Sequence, residues 1–258
     1  MPTYFEWTVG CQMNKADSEE LATILEARGY DRTLSAESAD LIFLNSCSVR
    51  QNAENRITGK LGEMVNVKRK RPDARLILTG CMVGDDTLGA LPKRFPFVDL
   101  FLKPADVEGF QEFLDEGDAL EVATKPRSMG VSSYVNVIRG CDKFCTYCIV
   151  PYRRGPEKSR PLDEIVREVE ELVRQGSKEI VLLGQTVDSY GKDLAGGRPD
   201  LADVFHAIHE LPDLKRIRFM TSYPADMTPR IIQSVAELPK LCEHLHLPCQ
   251  AGDDDTLR

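Results

Sequence analysis

Arg139-Gly140-Cys141-Asp142-Lys143-Phe144-Cys145-Thr146-Tyr147-Cys148 follows directly on a strand-like run, Tyr134-Val135-Asn136-Val137-Ile138. Three thiols separated by four and then three residues can converge on one metal cluster from a single short loop. A loop so placed lies at the carboxyl end of its strand, where open α/β folds and barrels carry their ligands. Iron–sulfur clusters are usually held by four thiolates. A motif that supplies three leaves one metal position for a non-protein ligand, the arrangement that catalytic metal sites use. A zinc knuckle or a set of buried free thiols is the alternative reading of the same spacing.

Outward from this loop, the carboxyl-terminal half alternates strands and helices. Strand-like runs occur at Val135–Arg139, Glu179–Leu183, Arg216–Met220 and His244–Leu247. Between the first two, Ile165, Val169, Leu172 and Val173 repeat at helical spacing over Leu162–Gln175, with Pro161 at the entry and Gly176 at the stop. This predicts a (β/α) barrel whose chemistry sits on its carboxyl-terminal face. Residues 134–258 are too few for the roughly 250 residues of a complete (β/α)₈ barrel, so the expected barrel is partial.

The first 116 residues also alternate, predicting an open parallel α/β sheet. Tyr4–Val9, Leu41–Asn45, Arg75–Thr79 and Val98–Leu102 read as strands. Asp17-Ser18-Glu19-Glu20 reads as a capped helix start, a long helix leads to Lys68-Arg69-Lys70-Arg71 before Pro72, and Val107–Leu114 reads as a closing helix. Cys11, Cys47 and Cys81 each fall one to three residues past a predicted strand end, so three separate loops bring three thiols to one sheet edge. Gly10 and Gly80 beside them allow close backbone approach. These thiols form a second candidate cluster site; the alternative is that each is a small buried apolar group. Residues 117–133 mix Gly, Pro, Ser and charge without periodicity and read as a linker.

The chain of 258 residues is 42% hydrophobic and 29% charged, as an ordinary globular protein is. It has no apolar run long enough to span a bilayer and no signal-peptide pattern at its start. Eight cysteines in that context suggest a reducing, cytoplasmic setting in which thiols serve metals or catalysis. The net charge is −8, and both halves are acidic, so net charge alone does not point to nucleic acid. Locally, Arg139, Lys143, Arg153, Arg154, Lys158 and Arg160 stand against Asp142 and Glu157, an island suited to an anionic partner or to a solvated surface. Cys242 and Cys249 read as structural thiols, and His244 and His246 as residues lining the barrel.

The aromatic Tyr147 ahead of the last cysteine, within CxxxCxxC, resembles the radical S-adenosylmethionine superfamily. Gly10-Cys11-Gln12-Met13-Asn14, Asp17-Ser18-Glu19, Asn45-Ser46-Cys47-Ser48-Val49-Arg50 and Gly80-Cys81-Met82 resemble the amino-terminal domain of its methylthiotransferases. Cys148-Ile149-Val150-Pro151-Tyr152, Arg154-Gly155, Ser159-Arg160-Pro161, Leu182-Leu183-Gly184-Gln185 and His246-Leu247-Pro248 resemble their radical domain. Within the family, Cys-Gln-Met-Asn and Cys-Ser-Val-Arg resemble the branch acting on N6-dimethylallyladenosine. The branches acting on ribosomal protein S12 or on threonylcarbamoyladenosine usually differ at these positions. Ser46, Pro156, Lys158, Thr186, Asp188, Cys249 and Ala251 depart from the usual family residues.

The resemblance implies two [4Fe-4S] clusters and S-adenosyl-L-methionine. One cluster, on Cys141, Cys145 and Cys148, would cleave S-adenosylmethionine reductively to a 5′-deoxyadenosyl radical. The other, on Cys11, Cys47 and Cys81, would stand on the sulfur-donor side. Tyr147, Arg154 and Arg160 would contact cofactor or substrate. The substrate implied is position 37 of a tRNA anticodon stem-loop, methylthiolated at C2 by a monomeric enzyme fed by a flavodoxin- or ferredoxin-type electron donor, with no membrane involved. The family also carries further barrel and a carboxyl-terminal RNA-binding (TRAM) domain that this sequence lacks. A non-catalytic iron–sulfur electron carrier or a zinc-binding module is the alternative from another class.

Overall fold

The computed structural model describes residues 1–84, 87–115 and 130–257. They fall into two compact units, the first formed by the amino-terminal α/β segment together with Lys143–Gly155 and the second by the remainder. The expected linker at 117–133 lies outside the described residues, apart from 130–133.

Five parallel strands build the first unit: β1 (Thr3–Thr8), β2 (Asp31–Arg32), β3 (Leu41–Ser46), β4 (Arg75–Gly80) and β5 (Leu100–Leu102). Their order in the sheet is β2-β1-β3-β4-β5, so the chain reverses its winding direction between β1 and β3. The central strand β3 is buried throughout and shows why a continuous apolar run suits this position. Ile42 and Leu44 pack with Leu76 and Leu78 against Ile57, Leu61, Met64 and Val67 of α2 (Gln51–Lys70). Leu41 and Phe43 face the opposite side, with Ile77, against Leu21 and Leu25 of α1 (Gln12–Ala27) and Phe110 and Leu114 of α4 (Val107–Asp115). The period-2 alternation of strand side chains thus divides one apolar run between two cores. The short α3 (Leu91–Arg94) covers the α2 side through Leu91, and α5 (Val150–Arg154) completes the unit.

Helix α1 begins five residues before the expected start at Asp17. Gly10, at φ 141°, turns the chain from β1 into the helix, and Cys11 occupies the cap position without a side-chain capping bond. Asp17 and Ser18, read from the sequence as a helix start, instead lie with Asn14 on the buried face of the helix interior.

In the second unit, β6 (Ser132–Asn136), β9 (Glu179–Leu183) and β10 (Arg216–Met220) form a parallel sheet in the order β10-β9-β6. Val135, Ile180, Leu182, Ile217 and Phe219 share one core with α6 (Leu162–Arg174) and α7 (Leu201–His209). Ile165, Val169, Leu172 and Val173, on one face of α6, make that contact, as their spacing predicts. A reciprocal capping box between Asp200 and Asp203 starts α7, and the Thr228 hydroxyl caps α8 (Pro229–Glu237). A four-residue turn, α9 (Asp254–Leu257), is the last element. This is the expected partial α/β barrel architecture.

Two strand expectations are corrected. The run Val135–Arg139 is not one strand: β6 ends at Asn136, and β7 (Ile138–Arg139) turns away to pair antiparallel with β8 (Lys158–Ser159). The cysteine loop is therefore entered through a two-residue ribbon. His244–Leu247 forms no strand; His244 and His246 are exposed, and the Ser222 N–H donating to the His246 carbonyl at 3.0 Å is one of its few ties. An extended segment becomes a strand only where a neighbour completes a ladder.

The turn after β9 is held by buried acid groups. Asp188 accepts from the Tyr223 N–H through both oxygens, at 3.1 and 2.9 Å. Ser189 donates to Asp226 at 2.6 Å, and Lys192 pairs with the same carboxylate. Burial pushes the Asp188 carboxyl up to about 6, helped by Asp226 and opposed by the N–H bonds and Lys192.

Two outcomes are expected. Phe43→Ala removes a fully buried ring from the first core and lowers unfolding free energy by about 3–5 kcal/mol in urea titrations. Asp188 holds its proton more tightly when folded than in the unfolded chain, whose value is near 3.8, so stability declines as pH rises from there to about 6 and is flat above. Asp188→Asn flattens that decline in pH-resolved urea melts; an unchanged slope assigns it to other groups.

Candidate functional site

The first candidate site is built by the carboxyl ends of β1, β3 and β4. Cys11, Cys47 and Cys81 follow those strands, and Cys11 and Cys47 flank the point where winding reverses. A sheet of order 2-1-3-4-5 opens its ligand crevice there, because adjacent loops diverge to opposite faces. Cys47 and Cys81 are buried and Cys11 is exposed; all are free thiols. The charges of Cys11 and Cys47 bear on the Cys81 thiol, which burial pushes up and the neighbouring Arg154 pulls down.

A buried polar network fixes these loops. Asn14 donates from Nδ2 to Asn45 Oδ1 at 2.8 Å and to the Ser46 carbonyl at 2.7 Å, while Asn45 donates back to the Asn14 carbonyl at 2.8 Å and to Ser18 Oγ at 2.9 Å. The Cys11 thiol donates to Asn14 Oδ1 at 3.3 Å. Ser46 Oγ donates to the Thr79 carbonyl at 2.6 Å and accepts from the Met82 N–H at 3.1 Å, and Ser48 Oγ donates to the Cys81 carbonyl at 2.7 Å. The glycines beside the cysteines serve this network. A Cβ on Gly10 would come within 2.8 Å of Asn14 Cγ, and one on Gly80, at φ 93°, would collide with Asn45 and the Ser46 backbone. The close approach foreseen for them is made by protein atoms.

Arg154 enters the same site. Pro151 lies in the first turn of α5 and Gly155, at φ 74°, ends it, which leaves Arg154 as the last helical residue. Its side chain is 4% exposed and meets the 5% exposed Asp17 carboxylate at 2.9 Å. It also donates to Asn14 Oδ1 at 3.3 Å, and its charge bears on the neighbouring Cys81 thiol. Asp17 and Asn14 are site residues that sequence reasoning missed. Asn14, Asp17, Ser18, Leu21 and Leu25 repeat at helical spacing, a stripe that would have placed the polar members on the buried face.

The second candidate set lies in the cysteine loop. Cys141 belongs to the second unit, where its buried Sγ lies 3.3 Å from Thr186 Oγ1. Cys145 and Cys148 belong to the first unit; Cys145 is exposed, Cys148 half-buried, and the Cys148 N–H donates to the Cys145 carbonyl at 2.9 Å. Tyr147 is exposed, as are Phe144 and Tyr152, whose rings meet edge to face at 5.9 Å. Arg160 donates to Glu168 at 2.6 Å and to the Asn136 carbonyl at 2.8 Å. The basic island of the sequence is thus partly consumed within the protein, at Arg154 and Arg160. Cys242 is half-buried and Cys249 exposed.

Among the described residues, no three or more His, Cys, Asp or Glu side chains gather closely enough to hold a single metal ion. A four-iron cluster makes a different demand, since each thiolate binds its own iron and the sulfurs stand further apart than ligands of one ion. All-thiol donor sets suit iron–sulfur groups. The donor chemistry of Cys11, Cys47 and Cys81, with a buried cation alongside, fits such an anionic group.

The family model described as Uncharacterized protein family UPF0004 matches residues 3–103, and that of the Radical SAM superfamily matches residues 135–258. The tRNA-2-methylthio-N(6)-dimethylallyladenosine synthase of Dehalococcoides mccartyi (strain CBDB1) is 48% identical over 257 residues, covering 100% of this chain and 60% of that protein. The protein of the same name from Roseiflexus sp. (strain RS-1) is 49% identical over 261 residues, covering 99% of this chain and 54% of the relative. The chain spans about 60% of the length of such curated relatives. Among solved structures, the radical S-adenosylmethionine methyltransferase TsrM from Kitasatospora setae matches with a TM-score of 0.64 at 15% identity, over 100% of this chain and 61% of that one. The cobalamin-dependent radical enzyme OxsB matches with a TM-score of 0.61 at 11% identity, over 100% of this chain and 45% of that one. At those identities the likeness is one of fold. Along its whole length, with this cysteine pattern on this fold, the chain is similar to the tRNA-2-methylthio-N(6)-dimethylallyladenosine synthases, and its two parts match UPF0004 and the Radical SAM superfamily.

Proposed function

We propose that the whole protein transfers a methylthio group to C2 of N6-dimethylallyladenosine in tRNA, and that this chain carries both of its iron–sulfur centres. The observation that carries this reading is the division of six thiols into two sets of three. Cys11, Cys47 and Cys81 come from three loops at one sheet edge, and Cys141, Cys145 and Cys148 from one loop. Electron carriers and structural zinc sites fill every ligand position with protein, whereas a three-thiol set keeps one position for a reactant.

The bond to be changed is an unactivated aromatic C–H, beyond the reach of acid–base catalysis, so a cofactor must supply the radical step. Cys141, Cys145 and Cys148 would hold a [4Fe-4S] cluster, which would supply the electron for cleaving S-adenosylmethionine. The chain's own residues prepare the ground for this. Thr186 sits against the Cys141 sulfur and orients it, as outer hydrogen bonds orient metal ligands. Cys148 and Cys145 are tied through their backbone, which limits the spread of the loop. At the sheet edge, the asparagine and serine network holds the loops bearing Cys11, Cys47 and Cys81 at a set spacing, as a sulfur-donating cluster requires. Exposed Tyr147 and Tyr152 offer aromatic faces for the adenine of a cofactor or for an adenosine drawn out of its stack. The electron comes from a flavodoxin- or ferredoxin-type donor.

Anaerobic reconstitution tests the two-centre reading. About eight irons per chain are expected in the wild type and about four in the Cys141→Ala, Cys145→Ala, Cys148→Ala variant, from two four-iron clusters. A single cluster, or zinc without sulfide, overturns it. In the full-length enzyme, Cys81→Ala should still form 5′-deoxyadenosine from S-adenosylmethionine while nucleoside mass spectrometry finds no methylthiolated adenosine. Methylthiolation retained at wild-type rate removes Cys81 from the sulfur-donor side.

A further inference from the structure

Sequence resemblance points Arg154 at S-adenosylmethionine or at substrate, yet its guanidinium is enclosed by other groups. We propose that Arg154 is a positioning residue of the amino-terminal three-cysteine centre: held by Asp17 and Asn14, it presents a fixed positive charge to the ligand sulfurs of that centre and sets both its iron affinity and its reduction potential. The inference rests on the reading of Cys11, Cys47 and Cys81 as cluster ligands.

A buried ion pair is a poor device for stability alone. Removing two charges from water offsets most of their attraction, and well-packed apolar residues often serve as well. The pair also stays incompletely satisfied. The Asp17 carboxylate lies 2.9 Å from the guanidinium, but neither of its oxygens accepts a well-aligned hydrogen bond. Arg154 is thus held by charge while its fork donates past Asp17 to Asn14 Oδ1, close enough to the Cys81 sulfur for its charge to pull that thiol down. An arginine has five donors in a rigid plane, so it can satisfy several acceptors around one site at once.

The same Asn14 oxygen accepts the Cys11 thiol at 3.3 Å. When Cys11 gives up its proton to bind a metal, that oxygen keeps Arg154 as its donor. The site therefore gives up the neutral thiol contact and retains the charged one as it is loaded. Three metal-bound thiolates and one carboxylate then stand beside the Arg154 guanidinium. Reduction potentials of iron–sulfur clusters follow net charge and the hydrogen bonds made to the sulfurs. A guanidinium beside the Cys81 sulfur makes addition of an electron easier and holds an anionic sulfur ligand more firmly. Asp17 acts in the opposite sense on the potential while anchoring the arginine.

The test uses the protein carrying Cys141→Ala, Cys145→Ala and Cys148→Ala, so that only the amino-terminal centre is loaded, and compares Arg154→Gln, Arg154→Lys, Asp17→Asn and the double variant Asp17→Asn, Arg154→Gln within it. Iron and sulfide are counted after anaerobic reconstitution at limiting iron, and midpoint potentials are read by spectroscopically monitored titration. Arg154→Gln should bind iron about 10–100-fold more weakly, the usual effect of losing an outer partner of a metal ligand. The potential should be lowest in Arg154→Gln, higher in the double variant, higher again in the parent and highest in Asp17→Asn. Arg154→Lys should recover the potential more fully than the iron affinity, because it keeps the charge and loses the fork. The double variant removes both members of the buried pair and so separates the effect from misfolding. Equal potentials and equal iron contents across the series, in a parent that holds about four irons, overturn the role of Arg154 alone. A parent that binds no iron overturns the cluster reading itself, and the inference with it.

Discussion

Everything at the amino-terminal site depends on one constraint: a charge taken out of water must be met by another charge or by hydrogen bonds. Arg154 and Asp17 are both almost fully enclosed, and each has the other as its charge partner. Around them, Asn14, Asn45, Ser18 and Ser46 satisfy one another across the ends of β1 and β3. The network forces Gly10 and Gly80 to be glycines, since any side chain there would occupy space the amides need. A polar cluster of this kind is rigid because each member has partners whose directions are fixed.

That rigidity matters because the ligands are loop residues. Parallel strands end together, and their loops all leave from one edge of the sheet. With the winding reversed between β1 and β3, the helices that follow those two strands, α1 and α2, leave on opposite faces and a crevice opens. The apolar cores above and below the sheet set where the strand ends lie, and the amide and hydroxyl network then sets where the thiols lie relative to those ends. In the second unit, Thr186 beside Cys141 and the carboxylates of Asp188 and Asp226 under the turn after β9 follow the same logic.

Several expectations failed for a shared reason. Asp17 and Ser18 look like helix-capping residues because short polar side chains favour helix starts, and nothing local distinguishes a cap from a buried polar face. The deciding partner is Arg154, more than a hundred residues away. The run from Val135 to Arg139 has uniform strand propensity, but Ile138 finds its ladder with Ser159, so the strand divides. His244–Leu247 has the residues of a strand without a complete neighbouring ladder. Basic residues between Arg139 and Arg160 read as one surface, although Glu168 and Asp17 claim two of them.

What the sequence by itself determined is the alternation of strands and helices, the apolar face of α6 and the apolar run of β3, and the six thiols with their three-plus-three spacing. These are properties of period and separation along the chain, carried by each residue's own chemistry. Only the tertiary structure decided the strand order that makes β1 and β3 neighbours, the enclosure of Arg154 beside Cys81, and the conversion of Asp17 from an apparent helix start into the lining of a site with Asn14. Those depend on which distant groups meet, and burial gives such meetings their energy: an arginine costs little in water wherever it points, but once enclosed it must find its carboxylate.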